Sequence, residues 1–253
     1  MIINKSRAPV RRSMCAASSM IAASLLALGA GRATAQSLTV LPVTVQMAAG
    51  QKSASLTIIN QGETETAVQV RVYAWNQSDG SQVLVPTSDV IVSPPLATVA
   101  PSAAQVLRLV LKRQPQGQEL TYRILVDQIP TAAAAPGTVK IALRLSIPIF
   151  AEPAERVASH VRFHMERSAG ENYLVAVNDG SRHEAYRDIT LTTATGVALK
   201  TDVNASPYIL AGATRRWHVT GAAPGAIPAG DLHLTARIDG GTVDQNLAGA
   251  AGS

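Results

Sequence analysis

One segment, residues 139–150, reads V-K-I-A-L-R-L-S-I-P-I-F and constrains the fold more than any other part of the sequence. Large aliphatic residues occupy every second position, namely Val139, Ile141, Leu143, Leu145, Ile147 and Ile149. This alternation predicts a β-strand with one apolar face, and the strand is long compared with the usual length of about 5–6 residues. Such a strand is either an ordinary core strand of a β-sandwich or a strand that pairs with another protein. If its edge is open, it is an aggregation hazard.

The first 35 residues have the pattern of a secretory signal peptide. A positively charged region at residues 5–12 precedes a short apolar run at residues 20–28, and Ala33-Thr34-Ala35 is a small-residue cleavage site. The apolar run is shorter than the stretch of about 20 residues that spans a bilayer, and no later segment is long and apolar enough to do so. We therefore predict export without stable membrane insertion.

Removal of this leader changes the charge and the cysteine content. The chain contains 22 Lys and Arg against 17 Asp and Glu, but five of the basic residues and none of the acidic ones lie in the first 35 positions. The remainder is therefore balanced, which gives no support to nucleic-acid binding. The single cysteine, Cys15, also lies in the leader. The exported protein is predicted to have no disulfide and no cysteine-based metal or catalytic site.

Short alternating runs separated by turn-forming clusters predict an all-β chain of two immunoglobulin-like β-sandwich domains in tandem. We predict an N-terminal domain at residues 36–152 and a C-terminal domain at residues 153–253, with a tail after Gln245 that is disordered. The strands predicted in the first domain are 38–46, 53–59, 66–76, 90–92, 105–112, 122–128 and 139–150. Those predicted in the second are 160–167, 173–178, 186–193, 197–200, 208–210, 215–219 and 231–239.

Taken in order, several segments resemble the PapD-like periplasmic chaperones of chaperone–usher pili, and best the archaic branch associated with spore-coat-U-like subunits. No single motif is diagnostic; the order and spacing carry the resemblance, which covers nearly all of the chain after the leader and is stronger in the first domain. The segments are L-T-I-I-N at 56–60, P-P at 94–95, Q-V-L-R-L at 105–109, Y-R-I-L-V-D-Q-I-P at 122–130, the end of the long strand at 143–150, and N-D-G-S-R-H at 178–183.

The resemblance implies a function for the long strand. Such a chaperone lends this strand to an incomplete pilus or spore-coat-U-like subunit in the periplasm and delivers the subunit to an outer-membrane usher. The residues that would fill the subunit groove are Val139, Ile141, Leu143, Leu145 and Ile147. The alternation alone leaves open which of them face the subunit and which face the chaperone's own core. A self-capped homo-oligomer of the free protein is a further expectation, because the open edge is hydrophobic.

The sequence departs from the family where the subunit's terminal carboxylate is usually anchored. Two basic residues commonly hold this carboxylate, and the aligned positions here are Thr44 and Pro148, which carry no charge. Arg144, Arg123 and Arg108 are the candidate substitutes, and Arg144 is favoured because it lies on the long strand. The alternative for each arginine is a solvated sheet face or an internal ion pair.

A second departure concerns the contact between the domains. Some relatives use an interdomain ion-pair network, whose positions here would be Gln128, Glu152 and Asp239. This set has no basic member, so the domain orientation must be held differently.

No residue pattern supports an enzyme, a cofactor or a metal site. His160 and His164 are four residues apart, but the segment is predicted to be a strand, on which this spacing corresponds to about 13 Å and is too long for one ion. The sequence contains no nucleophile elbow and no phosphate loop. The alternative to a chaperone is a structural surface or pilus protein, or an adhesin, built of immunoglobulin-like domains.

Overall fold

The computed structural model describes residues 38–78, 80–130, 141–155, 158–202, 206–221 and 230–249. Every regular element in these ranges is a β-strand, in agreement with the all-β prediction. This described part of the chain contains no helix that could cross a bilayer. The first ten strands are β1 (Leu38–Leu41), β2 (Val45–Met47), β3 (Ser53–Asn60), β4 (Thr66–Ser78), β5 (Ser81–Pro86), β6 (Val90–Ser93), β7 (Leu96–Val99), β8 (Ala104–Leu111), β9 (Leu120–Ile129) and β10 (Arg144–Ala151).

These ten strands form the two sheets of the first domain. One sheet has the order β1-β3-β8-β6, and the other has the order β2-β10-β9-β4-β5, with β7 also paired to β4. The predicted strand 38–46 is therefore two strands in different sheets. The break falls at the cis Leu41-Pro42 bond, and proline has no N–H with which to continue the first sheet.

The core of the first domain lies between these sheets because alternate residues of each strand point inward. Leu56 and Ile58 of β3, Leu107 of β8 and Ile124 of β9 have no solvent exposure, and Ile149 of β10 packs in the same cluster. Burial of each such side chain contributes about 1.5–3 kcal/mol. The last residues of the long strand are therefore part of the domain's own core.

The described part of the second domain contains nine strands. Its main sheet has the order β11-β12-β17-β15-β14-β18-β19 and curls so that side chains from both ends, such as Leu174 and Leu234, meet in one core around Trp217. The strands are β11 (Val161–Ser168), β12 (Glu171–Asn178), β13 (Glu184–Ala185), β14 (Arg187–Thr193), β15 (Ala198–Thr201), β16 (Tyr208–Ile209), β17 (Thr214–Thr220), β18 (Leu232–Ile238) and β19 (Gly241–Leu247); β13 and β16 pair separately.

The last strand corrects the prediction of a disordered tail. β19 extends two residues beyond Gln245 and ends at Leu247, which is buried in the second core opposite Leu232. Its sequence, G-T-V-D-Q-N-L, has only two large apolar residues, so alternation gives a weak signal. Antiparallel pairing with β18 along its whole length holds the segment in place.

The long strand is described only from Ile141 onward. Residues 131–140 lie outside the described ranges, and Val139 is among them. Regular pairing begins at Arg144, although the Gln128 N–H donates a hydrogen bond to the Leu143 carbonyl at 2.9 Å. The described strand thus covers the second half of the predicted one.

Candidate functional site

Strand β10 has an open edge over its first four residues. On one side it pairs antiparallel with β9 along its full length, from Arg144 to Ala151. On the other side it pairs in parallel with β2, but only over Ile149, Phe150 and Ala151. Residues 144–147 therefore have no neighbouring strand on that side within the described part of the chain, and Pro148 marks the start of the contact with β2. An unpaired edge of this kind is a template for strand addition from another chain.

The backbone groups at this edge belong to the even-numbered residues. The Leu143 carbonyl accepts a hydrogen bond from β9, and the Glu152 N–H donates to the Met47 carbonyl on the β2 side. Odd-numbered residues of the strand therefore direct their backbone groups to β9, and even-numbered residues direct theirs to the opposite side. Arg144 and Ser146 consequently present both N–H and C=O to the open side. Pro148 lacks an N–H, and the parallel pairing of Ile149 with Val45 directs its carbonyl to Val45 of β2.

The apolar residues of the long strand divide between a free part and a buried part. Ile141 is 76% exposed, Leu143 and Leu145 are partly buried, and Ile147 is buried in the core between the sheets. Of the five residues named as groove-filling candidates, Ile147 thus packs in this domain's own core. The free apolar surface of the long strand thus lies at Ile141 and Leu143, just before β10 begins, and at the partly buried Leu145.

Sequence reasoning missed a second apolar residue near this edge. Val43 lies two residues before Val45, the first residue of β2 that pairs with β10, and its side chain is 73% exposed. Because β2 and β10 are parallel, Val43 lies toward the open part of β10. The irregular link between β1 and β2 hides this placement from strand patterning.

Arg144 is held in an internal ion pair. Asp127 on β9 lies opposite Arg144 and accepts a hydrogen bond from it, and Arg71 on β4 donates to the same carboxylate at 2.6 Å. Partial burial of Asp127 favours its neutral form, but the hydrogen bonds from the two arginines outweigh this effect and lower the pKa of the carboxyl. Arg144 is therefore a weaker candidate for an external carboxylate than the sequence suggests.

Arg123 lies on the same outer face of the sheet as Arg144, but it has no acidic partner among the described residues. It lies opposite Pro148 in the β9–β10 register, next to one of the two uncharged anchor positions. Its guanidinium stacks 3.7 Å from the centre of the Trp75 ring and donates to the Ser206 hydroxyl at 3.3 Å. Burial lowers the pKa of Arg123, and it forms no ion pair within the described residues. A desolvated cation without a counter-charge favours an anion.

Thr44, the other anchor position, and Arg108, the third candidate arginine, lie in different parts of the molecule. The Thr44 hydroxyl lies 3.4 Å from the Tyr208 hydroxyl in the cleft between the domains. Arg108 lies on β8 in the other sheet, exposed between Ser55 and Ser93. The structure therefore does not bring Arg108 together with Arg123 and Arg144.

Residues 37–156 match the family described as pili and flagellar-assembly chaperone, PapD N-terminal domain. The first domain belongs to this family. The match includes both sheets of the first domain, which is called the PapD-like domain from here on, and the open edge of β10. A comparison with curated protein sequences gives no match.

Solved structures resemble the PapD-like domain and the second domain together. A chain of the CsuC–CsuE chaperone–tip adhesion subunit pre-assembly complex, from the archaic chaperone–usher Csu pili of Acinetobacter baumannii, is 19% identical, with a TM-score of 0.65 over 85% of this chain and 100% of that chain. The YadV chaperone is 18% identical, with a TM-score of 0.59 over 83% and 98%. A chain of the Salmonella enterica SafA pilin–SafB chaperone complex is 18% identical, with a TM-score of 0.56 over 84% and 95%. These likenesses confirm the fold of two immunoglobulin-like β-sandwich domains.

The contact between the PapD-like domain and the second domain is built around a buried carboxylate. Glu119 accepts hydrogen bonds from the backbone N–H of His183 at 3.0 Å and from its Nδ1 at 2.7 Å, and both side chains are almost fully buried. The His183 ring stacks 3.5 Å from the Phe150 ring at the end of β10. This pair supplies the interdomain contact that sequence analysis could not place.

The three residues predicted for an interdomain network do not lie together. Glu152 pairs with Arg182 of the second domain at 3.4 Å, whereas Asp239 pairs with Arg187 within the second domain at 2.6 Å. The Gln128 side chain accepts a hydrogen bond from the Leu143 N–H. Glu152 therefore bridges the domains, and it does so with a partner outside the predicted set.

Arg215 positions the part of the second domain that faces Arg123. It is fully buried, and it donates to the Tyr208 carbonyl at 2.8 Å and to the Ser206 carbonyl at 3.3 Å. Burial lowers its pKa.

Among the described residues, no cluster of three or more potential ligands could hold a metal ion, and His160 pairs with Asp179 instead.

Proposed function

We propose that this chain is a periplasmic chaperone that binds pilus or spore-coat-U-like subunits by donating the long strand and delivers them to an outer-membrane usher. The observation that supports this most directly is the open edge of β10, which continues into the exposed Ile141. The leader at residues 1–35 supports export, and membership of a chaperone family accounts for the lack of a catalytic pattern. No catalytic activity, cofactor or nucleic-acid partner is assigned.

The subunit would pair with residues 141–147 and bury the apolar side of that segment. Ile141, Leu143 and the outer part of Leu145 are the contact residues, since Ile147 already packs in the domain core. Val139 is included in the proposal because it continues the same alternation. Each fully buried side chain would contribute about 1.5–3 kcal/mol, less the cost of ordering both chains. In the free protein, self-association over the same edge is the competing state.

The terminal carboxylate of the subunit would bind at Arg123. The position next to Pro148, the lack of an acidic partner and the nearby hydroxyls of Ser206 and Tyr208 support this choice over Arg144 and Arg108. A guanidinium can donate two parallel hydrogen bonds to one carboxylate. The anchor would thus lie one strand away from its usual place in the family.

The proposal is tested by changing the free part of the strand and measuring subunit retention. The double variant Ile141→Asp/Leu143→Asp is expected to remain folded but to lose the small β-rich subunit in a native pull-down from periplasmic extract, because two charges cannot enter an apolar groove. Val106→Asp/Val110→Asp is the matched control, since these exposed valines lie on the other sheet. Equal subunit recovery with both double variants would contradict the proposal, and recovery of the chain polymerised with itself would favour a structural surface or pilus protein.

A further inference from the structure

The six-stranded sheet has a second open edge, at β5. This strand is the last in the sheet order, at the opposite end from β2 and β10, and among the described residues it pairs only with β4. All six of its residues are exposed, including Val83, Leu84 and Val85 at 37%, 38% and 45%. Three consecutive apolar side chains are thus accessible on both faces of one edge strand.

The register shows which backbone groups of β5 are free. The Val70 N–H donates to the Pro95 carbonyl, so even-numbered residues of β4 direct their hydrogen bonds toward the β5 and β7 side. Val83 and Val85, which lie opposite Asn76 and Ala74, are therefore bonded to β4. Gln82, Leu84 and Pro86 lie in between and point their backbone groups outward.

Apart from Pro86 at its end, β5 carries none of the usual protections of an edge strand among the described residues. Its six residues, S-Q-V-L-V-P, carry no charge, and proline occurs only at the last position. The pairing with β4 runs without a register shift, so no bulge turns the edge away. The hairpin is also held in place, because Gly80 at its tip packs against the Arg216 backbone of the second domain.

We propose that β5 pairs antiparallel with β5 of a second copy of this chain, about a two-fold axis at Leu84. In this register each Leu84 exchanges two hydrogen bonds with Leu84 of the second copy, and each Gln82 N–H donates to the Pro86 carbonyl of the other strand. The missing N–H of Pro86 leaves only the Gln82 carbonyl without a partner. The strand is self-complementary in this arrangement and brings no charges into opposition, which favours a second copy over an unlike strand.

This association leaves the proposed subunit-binding edge free. β5 is one end of the sheet, whereas β10 lies next to β2 at the other end, with β9 and β4 between β10 and β5. Pairing of two six-residue strands buries less surface than a standard interface of about 1,200–2,000 Å², so the dimer is expected to form only at high protein concentration. The inference is therefore independent of the function proposed for β10.

Single cysteines test the register in a Cys15→Ser background. Leu84→Cys is expected to form a disulfide-linked dimer under mild oxidation, because hydrogen-bonded antiparallel partners have Cα atoms about 5.5 Å apart, within disulfide range. Val83→Cys is the matched control on the same strand. Its counterpart in the second copy is Val85 rather than Val83, so cross-linking is expected to be at least about tenfold slower, since disulfides do not form between Cα atoms more than about 7 Å apart.

Two results would overturn the proposal. One is a chain that sediments as a monomer at all concentrations and shows no preference for Leu84→Cys over Val83→Cys. The other is faster cross-linking of Ile141→Cys, which would place self-association at β10 instead. Leu84→Lys, which puts two charges at the axis, is expected to abolish the dimer and leave subunit recovery unchanged, which separates this test from that of the subunit-binding edge.

Discussion

Arg123 is a partly buried cation whose described contacts are an aromatic ring and a hydroxyl, with no acid among them. We predict that Arg123→Ala weakens subunit binding about 10- to 100-fold, because a hydrogen bond to a charged group contributes about 1.5–3 kcal/mol. Arg123→Lys is expected to restore only part of the affinity, since an ammonium cannot stack or bind bidentately in the same way. Titration calorimetry with the purified subunit measures both changes.

Arg108→Ala serves as the control for this prediction, since Arg108 lies exposed on the other sheet. Subunit affinity equal to that of the unchanged chain is expected for Arg108→Ala. If Arg123→Ala also bound with full affinity while Arg144→Ala did not, the anchor would lie at the end of the strand, where Arg144 pairs with Asp127.

At the scale of the element, β10 and the three residues before it combine two different tasks, because one end of this segment is exposed and the other lies in the domain core. We predict that Ile149→Ala lowers the free energy of unfolding by about 2–5 kcal/mol, because Ile149 has no solvent exposure and the substitution leaves a cavity. Ile141→Ala is expected to change stability little, since its side chain is mostly exposed, but to weaken subunit binding. Denaturant unfolding of both variants, followed by subunit titration, tests this division; a large loss of stability with Ile141→Ala would refute it.

Strands with strict alternation and clear ends could be predicted from the sequence, and β3, β8 and β9 are the best examples. β5 and β19 could not, because alternation reports one buried face, whereas β5 is exposed on both faces and β19 has few large apolar residues.

The candidate site also could be predicted only in part, because local alternation does not show which strands pair. Alternation places Arg123 and Arg108 on a polar face, but the sheet that each strand joins depends on pairing between distant segments. The Glu119–His183 contact joins residues 64 apart and has no local signal.

At the scale of the whole molecule, the two domains are joined by a small buried interface. We predict that His183→Ala lowers the free energy of unfolding by about 1–3 kcal/mol, because it removes the side-chain hydrogen bond to the buried Glu119 and leaves only the backbone N–H of residue 183. Calorimetry should then show the two domains unfolding as separate transitions. His218→Ala is the control, since its contact with Glu171 is exposed and lies within the second domain. A single unchanged transition with His183→Ala would mean that other contacts, such as Arg182–Glu152, are sufficient.

Pro148 limits how far an added strand can extend along the chaperone. A guest strand that pairs with the open edge finds donors at Arg144 and Ser146, but Pro148 has no N–H, and its carbonyl already faces β2. The guest's ladder of hydrogen bonds must therefore stop there. Arg123 lies directly across from Pro148 on the neighbouring strand. In the proposed complex, Pro148 ends the added ladder and Arg123 binds the guest's terminal carboxylate, so together they would fix which guest residues lie against Leu145, Leu143 and Ile141.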